Sequence, residues 1–276
     1  MRLSSMVKVV LTGIVFLGIA SAASANNVSV LTDGGSTAQF DLLSDQGLNA
    51  WTVDGVNQIT RQWFWLRIGS EGGQSAINPP RTIFAGTSDT NFDGNLDTLI
   101  VRHTATQVKV EATFTLTGAT GEPKSDLAET IKITNLTRSP LDLHFFQFVD
   151  LALGGTVDDA AVGVSGGNTA MQADFGYYAS ETVVTPRPSH YQVGLGPDLY
   201  ALLTGGAPLT LNDTAGPVGP GDLAWAFQWD TVLGAAGTPT ASLIISKDKQ
   251  IVPEPATMAL LIAGGVGAAI RRRRAA

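Results

Sequence analysis

The two-residue alternation of residues 107–116 constrains this chain more than any other feature. Val108, Val110, Ala112, Phe114 and Leu116 fall on one face, and Gln107, Lys109, Glu111, Thr113 and Thr115 on the other. Successive strand side chains point to opposite sides, so this pattern predicts a half-buried antiparallel strand with one wet face. Residues 128–134 continue it, with Ile131 and Ile133 inward, and Asn135-Leu136-Thr137-Arg138-Ser139-Pro140 reads as a turn. Leu141–Leu151 is apolar on both faces over much of its length, which predicts a central strand. Further strands are expected at 38–43, 50–53, 60–68, 98–103, 178–184, 191–193, 199–203, 223–232 and 241–246, separated by clusters of Gly, Pro, Asn and Asp. Many short strands with turn signals between them predict an all-β fold, an antiparallel β-sandwich, with no helix inside the body. The glycine- and proline-rich stretch 205–221 reads as a long surface loop. Residues 158–176 carry no clear pattern.

Both ends differ from this body. Arg2 and Lys8 precede an apolar run, residues 9–20, in which Thr12 is the only polar residue. Ala23-Ser24-Ala25 then supplies small side chains in an A-x-A arrangement. These regions in this order read as a secretory signal helix over residues 1–25, cleaved by signal peptidase at Ala23 and Ala25. At the other end, residues 256–270 are apolar except for Thr257, and Arg271, Arg272, Arg273 and Arg274 follow. A hydrophobic tail helix of that length is short for a bilayer core, which takes about 20 residues, and the arginines resist translocation. The tail would hold the chain in the membrane with its body outside. Directly upstream, Pro253-Glu254-Pro255 keeps the chain extended at the membrane surface.

A Pro-Glu-Pro motif, a short hydrophobic stretch and a terminal basic cluster, in that order, resemble the PEP-CTERM sorting signal. The resemblance covers residues 252–276. It implies recognition by an exosortase, a membrane cysteine transpeptidase of Gram-negative bacteria that make exopolysaccharide, with transient membrane insertion, processing near the motif, and transfer to the cell surface or extracellular matrix. The tail residues would be substrate rather than catalyst. The intervening body, residues 26–251, resembles more loosely the β-sandwich domains of PEP-CTERM proteins, a likeness that implies no activity.

Composition narrows the function further. Without Arg2, Lys8 and Arg271–Arg274, 11 of the 17 basic residues remain, and without Glu254, 23 of the 24 acids, a balance of −12. So acidic a surface argues against nucleic acid as a partner and fits cation binding or solubility. Cysteine is absent, which excludes disulfides, thiolate catalysis and cysteine-held metal clusters. The three histidines, His103, His144 and His190, have no metal-binding spacing, and His144 in an apolar strand reads as structural.

The segment with readable site chemistry is residues 89–97. Asp89, Asn91, Asp93 and Asp97 stand at positions 1, 3, 5 and 9 of a loop resembling the start of an EF-hand, with Gly94 at the sharp turn and Asn95 offering its carbonyl. Ca2+ is the expected cofactor. Position 12 is Ile100 instead of glutamate, and the same residues also suit an ordinary hairpin turn. Trp63 with Trp65, and Trp225 with Trp229, alternate along strands; they fill a core or, on an open face, stack on sugar rings. Gly163-Val164-Ser165-Gly166-Gly167 matches G-x-S-x-G, with Asp174 and His190 downstream, yet no helix is expected after Ser165. No pair among the acids stands out for glycoside chemistry. The expectation is a non-enzymatic, exosortase-sorted surface or matrix protein with a structural, adhesive or polysaccharide-associated role. The rival is a carbohydrate-active enzyme or glycan-binding module on the same scaffold.

Overall fold

The computed structural model describes residues 28–78, 82–174 and 176–253. The signal, its cleavage residues Ala23 and Ala25, and the tail from Glu254 onward lie outside the described residues. The elements in chain order are β1 (Val28–Asp33), β2 (Ser36–Asp41), β3 (Gly47–Val53), β4 (Val56–Asn57), β5 (Ile59–Ile68), β6 (Ser75–Ala76), β7 (Thr82–Ser88), β8 (Thr98–Thr104), β9 (Val108–Gly118), β10 (Ser125–Asn135) and β11 (Leu141–Leu151). A 3-10 turn (Leu153–Gly155), β12 (Asp158–Asp159), β13 (Ala161–Ser165), β14 (Thr169–Asp174), β15 (Tyr177–Thr185), β16 (His190–Leu195), α1 (Gly196–Thr204), β17 (Gly221–Leu233) and β18 (Ser242–Pro253) complete the chain.

The strands form two sheets. One runs β1-β2-β3-β5-β11-β17-β12, with β16 also on β17 and the short β4 and β6 on β3 and β5. The other runs β13-β14-β15-β18-β10-β9-β8-β7. Pairing is antiparallel except for one brief parallel contact of β3 with β5. The expected sandwich is therefore present. The alternation that predicted it is visible in β9, where Val108, Val110, Ala112, Phe114 and Leu116 are buried while the residues between them are half-buried. Both-face burial of β11 follows from its central place between β5 and β17.

One side of β11 and β5 meets the second sheet and the other side is covered by α1. Phe64 of β5 stacks on Phe145 of β11 at 5.5 Å and reaches Phe114 of β9 at 6.3 Å. On the opposite side Trp65 meets Phe148 at 6.3 Å and Tyr200 of α1 at 6.2 Å edge-on, and Phe148 and Tyr200 meet tilted at 6.0 Å. Helix α1 corrects the expected strand at 199–203. Pro197 and Asp198 open it, a rigid residue and an acid at the end where both are favoured. Leu199 and Leu203, one helical turn apart, are both buried. A five-residue apolar run does not distinguish helix from strand by period, and here the need to roof a large apolar sheet face decided it.

Loops close the two open sides of the sandwich. On one side, residues 89–97 bridge the edges at β1 and β7–β8: Thr32 N–H donates to Leu96 O at 2.8 Å, and Asp97 N–H to Ser88 O at 3.1 Å. On the other, the stretch expected as a surface loop lies between β13 and β16. Val164 N–H donates to Ala215 O at 2.7 Å and Val193 N–H to Thr214 O at 3.0 Å, and Leu211 is buried. These loops cover backbone edges that would otherwise be free to pair with another chain.

The core between the sheets holds four charges. Lys247 Nζ lies 2.5 Å from Glu129 Oε2 and 3.1 Å from Glu181 Oε1; Lys249 Nζ lies 3.1 Å from Glu129 Oε1 and 3.2 Å from Glu181 Oε2. All four come from adjacent strands β15, β18 and β10, and none is more than 2% exposed. Two glutamines of the facing sheet cap them. Gln62 Nε2 donates to both Glu129 oxygens at 2.7 and 2.9 Å, and Gln147 Nε2 to Glu181 Oε2 at 3.2 Å. Burial alone raises the Glu129 carboxyl, but Lys247 and Lys249 hold it below its ordinary value; burial lowers the Lys249 ammonium, but Glu129 and Glu181 hold it above. Removing one charge leaves its partners uncompensated in a dry core. Lys247→Met is expected to lower the unfolding free energy by about 3–5 kcal/mol, measured by chemical denaturation. A loss below about 1 kcal/mol would mean that water reaches the cluster.

Candidate functional site

Strand β18 leads straight into the sorting segment. Its register places Ile251 opposite both Ser125 of β10 and Ala179 of β15. Val252 and Pro253 run on past the start of β10 and pair only with Tyr178 and Tyr177 of β15. Pro253 has no N–H to donate, which suits the last position of a strand. The expected body, 26–251, and tail, 252–276, thus share one strand. Of the sorting residues, Pro253 is described; Glu254, Pro255 and Arg271–Arg274 are outside the described residues.

The Asp-rich loop is wound on its own acids. Asp89 accepts from the N–H groups of Phe92 at 2.7 Å and Gly94 at 2.9 Å. Asp97, 2% exposed, accepts from the Thr90 and Asn91 N–H groups and from the Thr90 hydroxyl at 2.7 Å. Its burial works against ionisation, but these donors outweigh it and hold its carboxyl below the ordinary value. Asp93 is lowered first by the Asn95 N–H, 2.8 Å away, and the Asn91 side-chain oxygen accepts the Asp93 N–H at 3.0 Å. Gly94 takes φ +95°, a conformation that glycine adopts without a steric penalty. Asp33 of β1, which no sequence signal joins to this loop, accepts from Asn91 Nδ2 at 2.9 Å and from Gly118 N–H at 2.6 Å. Among the described residues no three acids or histidines are grouped as a metal-binding set.

A second acidic group lies where β11, β12, β14 and β17 end near the start of α1. Asp150 Oδ2 and Asp222 Oδ1 lie so close to Gly196, the first residue of α1, that a side chain there would meet them at 3.2 and 3.1 Å. Burial, then the charge of Asp222, pushes the Asp150 carboxyl up to about 7, against the pull of Arg61. Burial, then Asp174, pushes Asp159 up to about 8, although Gln172 Nε2 donates to it at 2.6 Å. On β10, burial and the neighbouring Asp248 push Asp126 up to about 7.

On the outer face of β11, β17 and β16, His144 Nδ1 and Asp230 Oδ1 are 2.6 Å apart, Gln228 Nε2 donates to Asp230 at 2.8 Å, and His190 Nδ1 pairs with Asp213 at 3.0 Å. His144 is thus a hydrogen-bonded part of the sheet. Ser165 ends β13 in a hairpin to β14, with no helix behind it, while Asp174 accepts from Thr156 and His190 is held by Asp213. The strand–turn–helix that a G-x-S-x-G nucleophile requires is not present.

The glycan-stacking assignment of the tryptophans is corrected. Trp63, Trp65, Trp225 and Trp229 are 0%, 1%, 0% and 2% exposed. Trp63 Nε1 donates to Asn78 Oδ1 at 2.5 Å and Trp229 Nε1 to Pro186 O at 3.0 Å, so their polar edges are tied down inside the protein. A ring without an open face cannot stack on a sugar. Aromatic alternation identified the strands correctly, but at these tryptophans the larger sheet is covered on both faces, so neither side is left wet there.

Asp150, Asp159 and Asp126 hold their protons far more tightly folded than unfolded, where such carboxyls titrate near 4. Stability is therefore expected to fall as pH rises from about 4 to about 8, because the unfolded chain ionises first. Melting scans across this range should show the slope, and Asp150→Asn should make it shallower by up to about 1.4 kcal/mol per pH unit, one proton's share. An unchanged slope would mean that Asp150 is already ionised in the folded state.

The comparisons with known proteins agree with this arrangement. The PEP-CTERM protein-sorting motif matches residues 252–274. No curated protein matches the chain in sequence. Among solved structures, a bacterial glucoamylase complexed with acarbose is similar to it, with a TM-score of 0.56, 10% identity, and coverage of 91% of this chain and 36% of the glucoamylase. A protein from the human microbiome described as a kojibiose phosphorylase (TM-score 0.39, 8% identity, 86% and 25% covered) and a YidC insertase (0.35, 11%, 87% and 41%) are more distant. At such identities the glucoamylase likeness shows a shared fold only. Among the described residues no helix is long and apolar enough to cross a membrane. The chain is a β-sandwich that carries a PEP-CTERM protein-sorting motif at residues 252–274, the mark of an exported protein sorted by exosortase.

Proposed function

We propose that this protein is a non-enzymatic surface or extracellular-matrix component whose folded sandwich serves surface architecture, adhesion or association with exopolysaccharide. One observation carries the reading: the sorting motif begins within the last strand of a folded sandwich, so processing there leaves the whole body as the delivered product. Signal peptidase would release the N-terminus near Asn26. Exosortase would act near the Pro253-Glu254-Pro255 segment, whose prolines favour extended backbone and which follows the point where β18 loses its β10 partner and pairs only with β15. Such a segment is a ready substrate for an enzyme that binds extended backbone. The rival, a carbohydrate-active enzyme or glycan-binding module, draws on the glucoamylase fold alone and lacks an exposed tryptophan platform.

The intact mass of the protein recovered from its native cells tests this. The expected species starts near Asn26 and ends near Pro253-Glu254-Pro255, with or without an added group. A mass that retains Arg271–Arg274 would reduce the tail to an anchor and remove the matrix reading.

The loop at Asp89–Asp97 enters the proposal as a weak Ca2+ site that stiffens one closed side of the sandwich. Its oxygens are in sequence position for a hard cation; the Asp89 and Asp93 oxygens that accept an N–H keep a further lone pair, whereas each Asp97 oxygen already takes two donors. A ligand bound only to the native state raises stability by about 2.7 kcal/mol at a hundredfold excess over Kd. Millimolar Ca2+ is therefore expected to raise Tm over that in chelator, and Asp93→Ala to abolish the rise. Equal melting points in Ca2+ and chelator would leave the loop as a turn held by its own hydrogen bonds.

A further inference from the structure

We propose that Lys249 and Gln62 form an intramolecular isopeptide bond that ties β18 covalently to β5 of the facing sheet. The reactants of an amide exchange are gathered here. Lys249 Nζ meets Gln62 Oε1, one bond from the carboxamide carbon. The other end of the same amide, Nε2, donates to both Glu129 oxygens at 2.7 and 2.9 Å, and Glu129 Oε1 lies 3.1 Å from Lys249 Nζ. An amine, an amide and a carboxylate that touches both are thus held together, with all three residues 0–2% exposed. Held reactants gain the entropic advantage of an intramolecular step, and the absence of water removes hydrolysis as a competitor.

The second half of the cluster serves as an internal comparison. Gln147 gives its Nε2 to Glu181, but its Oε1 has no hydrogen-bond partner, so no amine addresses that amide. Lys247 is surrounded by Glu129, Glu181 and, at 5.4 Å, the face of Phe64. Among these four side chains only Lys249 and Gln62 bring an amine against an amide oxygen.

The step balances without an oxidant or cofactor. Lys249 passes one ammonium proton to Glu129 across their 3.1 Å contact. The neutral amine adds to Gln62 Cδ and forms the Nζ–Cδ bond. A proton from the attacking nitrogen moves, by way of Glu129, to Nε2; the Cδ–Nε2 bond breaks and ammonia leaves. The product is a secondary amide, with one carboxyl of the Glu129–Glu181 pair protonated and the other facing Lys247, so the core stays neutral. Both carboxylates favour the ammonium form of Lys249, so the reactive neutral pair is a minor state. A reaction that runs once per chain after folding tolerates a slow rate. Lys249 stands four residues before Pro253 on the strand that leads to the sorting motif. On the reading that the protein is attached through this end, tension on β18 would be carried by the covalent bond as well as by the hydrogen-bonded ladder; the bond itself does not depend on that reading.

Mass spectrometry of the purified full chain, and of whatever mature form it yields, decides the matter. The expected mass is one ammonia below that of the sequence, and a protease digest should yield a branched peptide that joins the Gln62 and Lys249 segments. Lys249→Met and Glu129→Gln should both restore the full mass; the second keeps both reactants and removes the carboxylate that touches both. Wild-type protein at full mass, with Gln62 and Lys249 in separate unmodified peptides, would overturn the proposal even if neither variant folds. A missing ammonia located at any other residue would overturn it equally.

Discussion

The alternating charges of Glu129, Lys247, Lys249 and Glu181 are the interaction on which the rest of this structure depends. Buried ion pairs seldom add net stability over apolar packing, because desolvation consumes most of the Coulombic gain. What this one supplies is register. Glu129 faces Lys247 and Glu181 faces Lys249 across hydrogen-bonded neighbours. A one-residue slip of β18 would turn both lysines to the surface and bring Asp248 and Ser246 inward. The same register ends the pairing with β10 at Ile251, one residue before the sorting motif begins.

The sandwich around this cluster is closed on both sides by segments with little regular structure. The Asp-rich loop at 89–97 joins the β1 edge to β7 and β8, and the Gly- and Pro-rich stretch before β17 joins β13 to β16. Each supplies backbone donors or acceptors to strand edges. A protein delivered to a crowded surface through an unpaired edge would be prone to strand addition, and these loops remove that route. The acids that suggest a cation site are thus also the acids that shape a structural strap.

Much of this was legible in the sequence. The period of β9 and β10, the turn after Asn135 and the central place of β11 follow from apolar spacing alone, since a strand side chain can face only one of two ways. The weaker strands β1, β7, β13 and β14 were not legible: Val28–Asp33 and Thr82–Ser88 are short and mixed, and Ala161–Ser165 is too rich in small residues to show a pattern. The run at 199–203 reads as strand because five apolar residues carry no period. The tryptophans carry two meanings in the sequence because a strand pattern identifies a face without saying what covers it. In the charge cluster, Lys247 and Lys249 alternate with Ser246 and Asp248, a spacing that looks like an ordinary wet face.

By itself, the sequence determined the C-terminal sorting motif and the strand content, because each is written in local order, Pro-Glu-Pro before hydrophobic stretch before arginines and apolar before polar, and it determined the absence of disulfides because it holds no cysteine. Only the tertiary structure decided which alternating face was dry. It placed α1 over Trp65 and Phe148, buried four charges between β15, β18 and β10, and brought Gln62 to Lys249 across 187 positions of chain. Such pairings depend on how two sheets stack, and the sum of weak contacts over both faces sets that stacking; no local spacing encodes it.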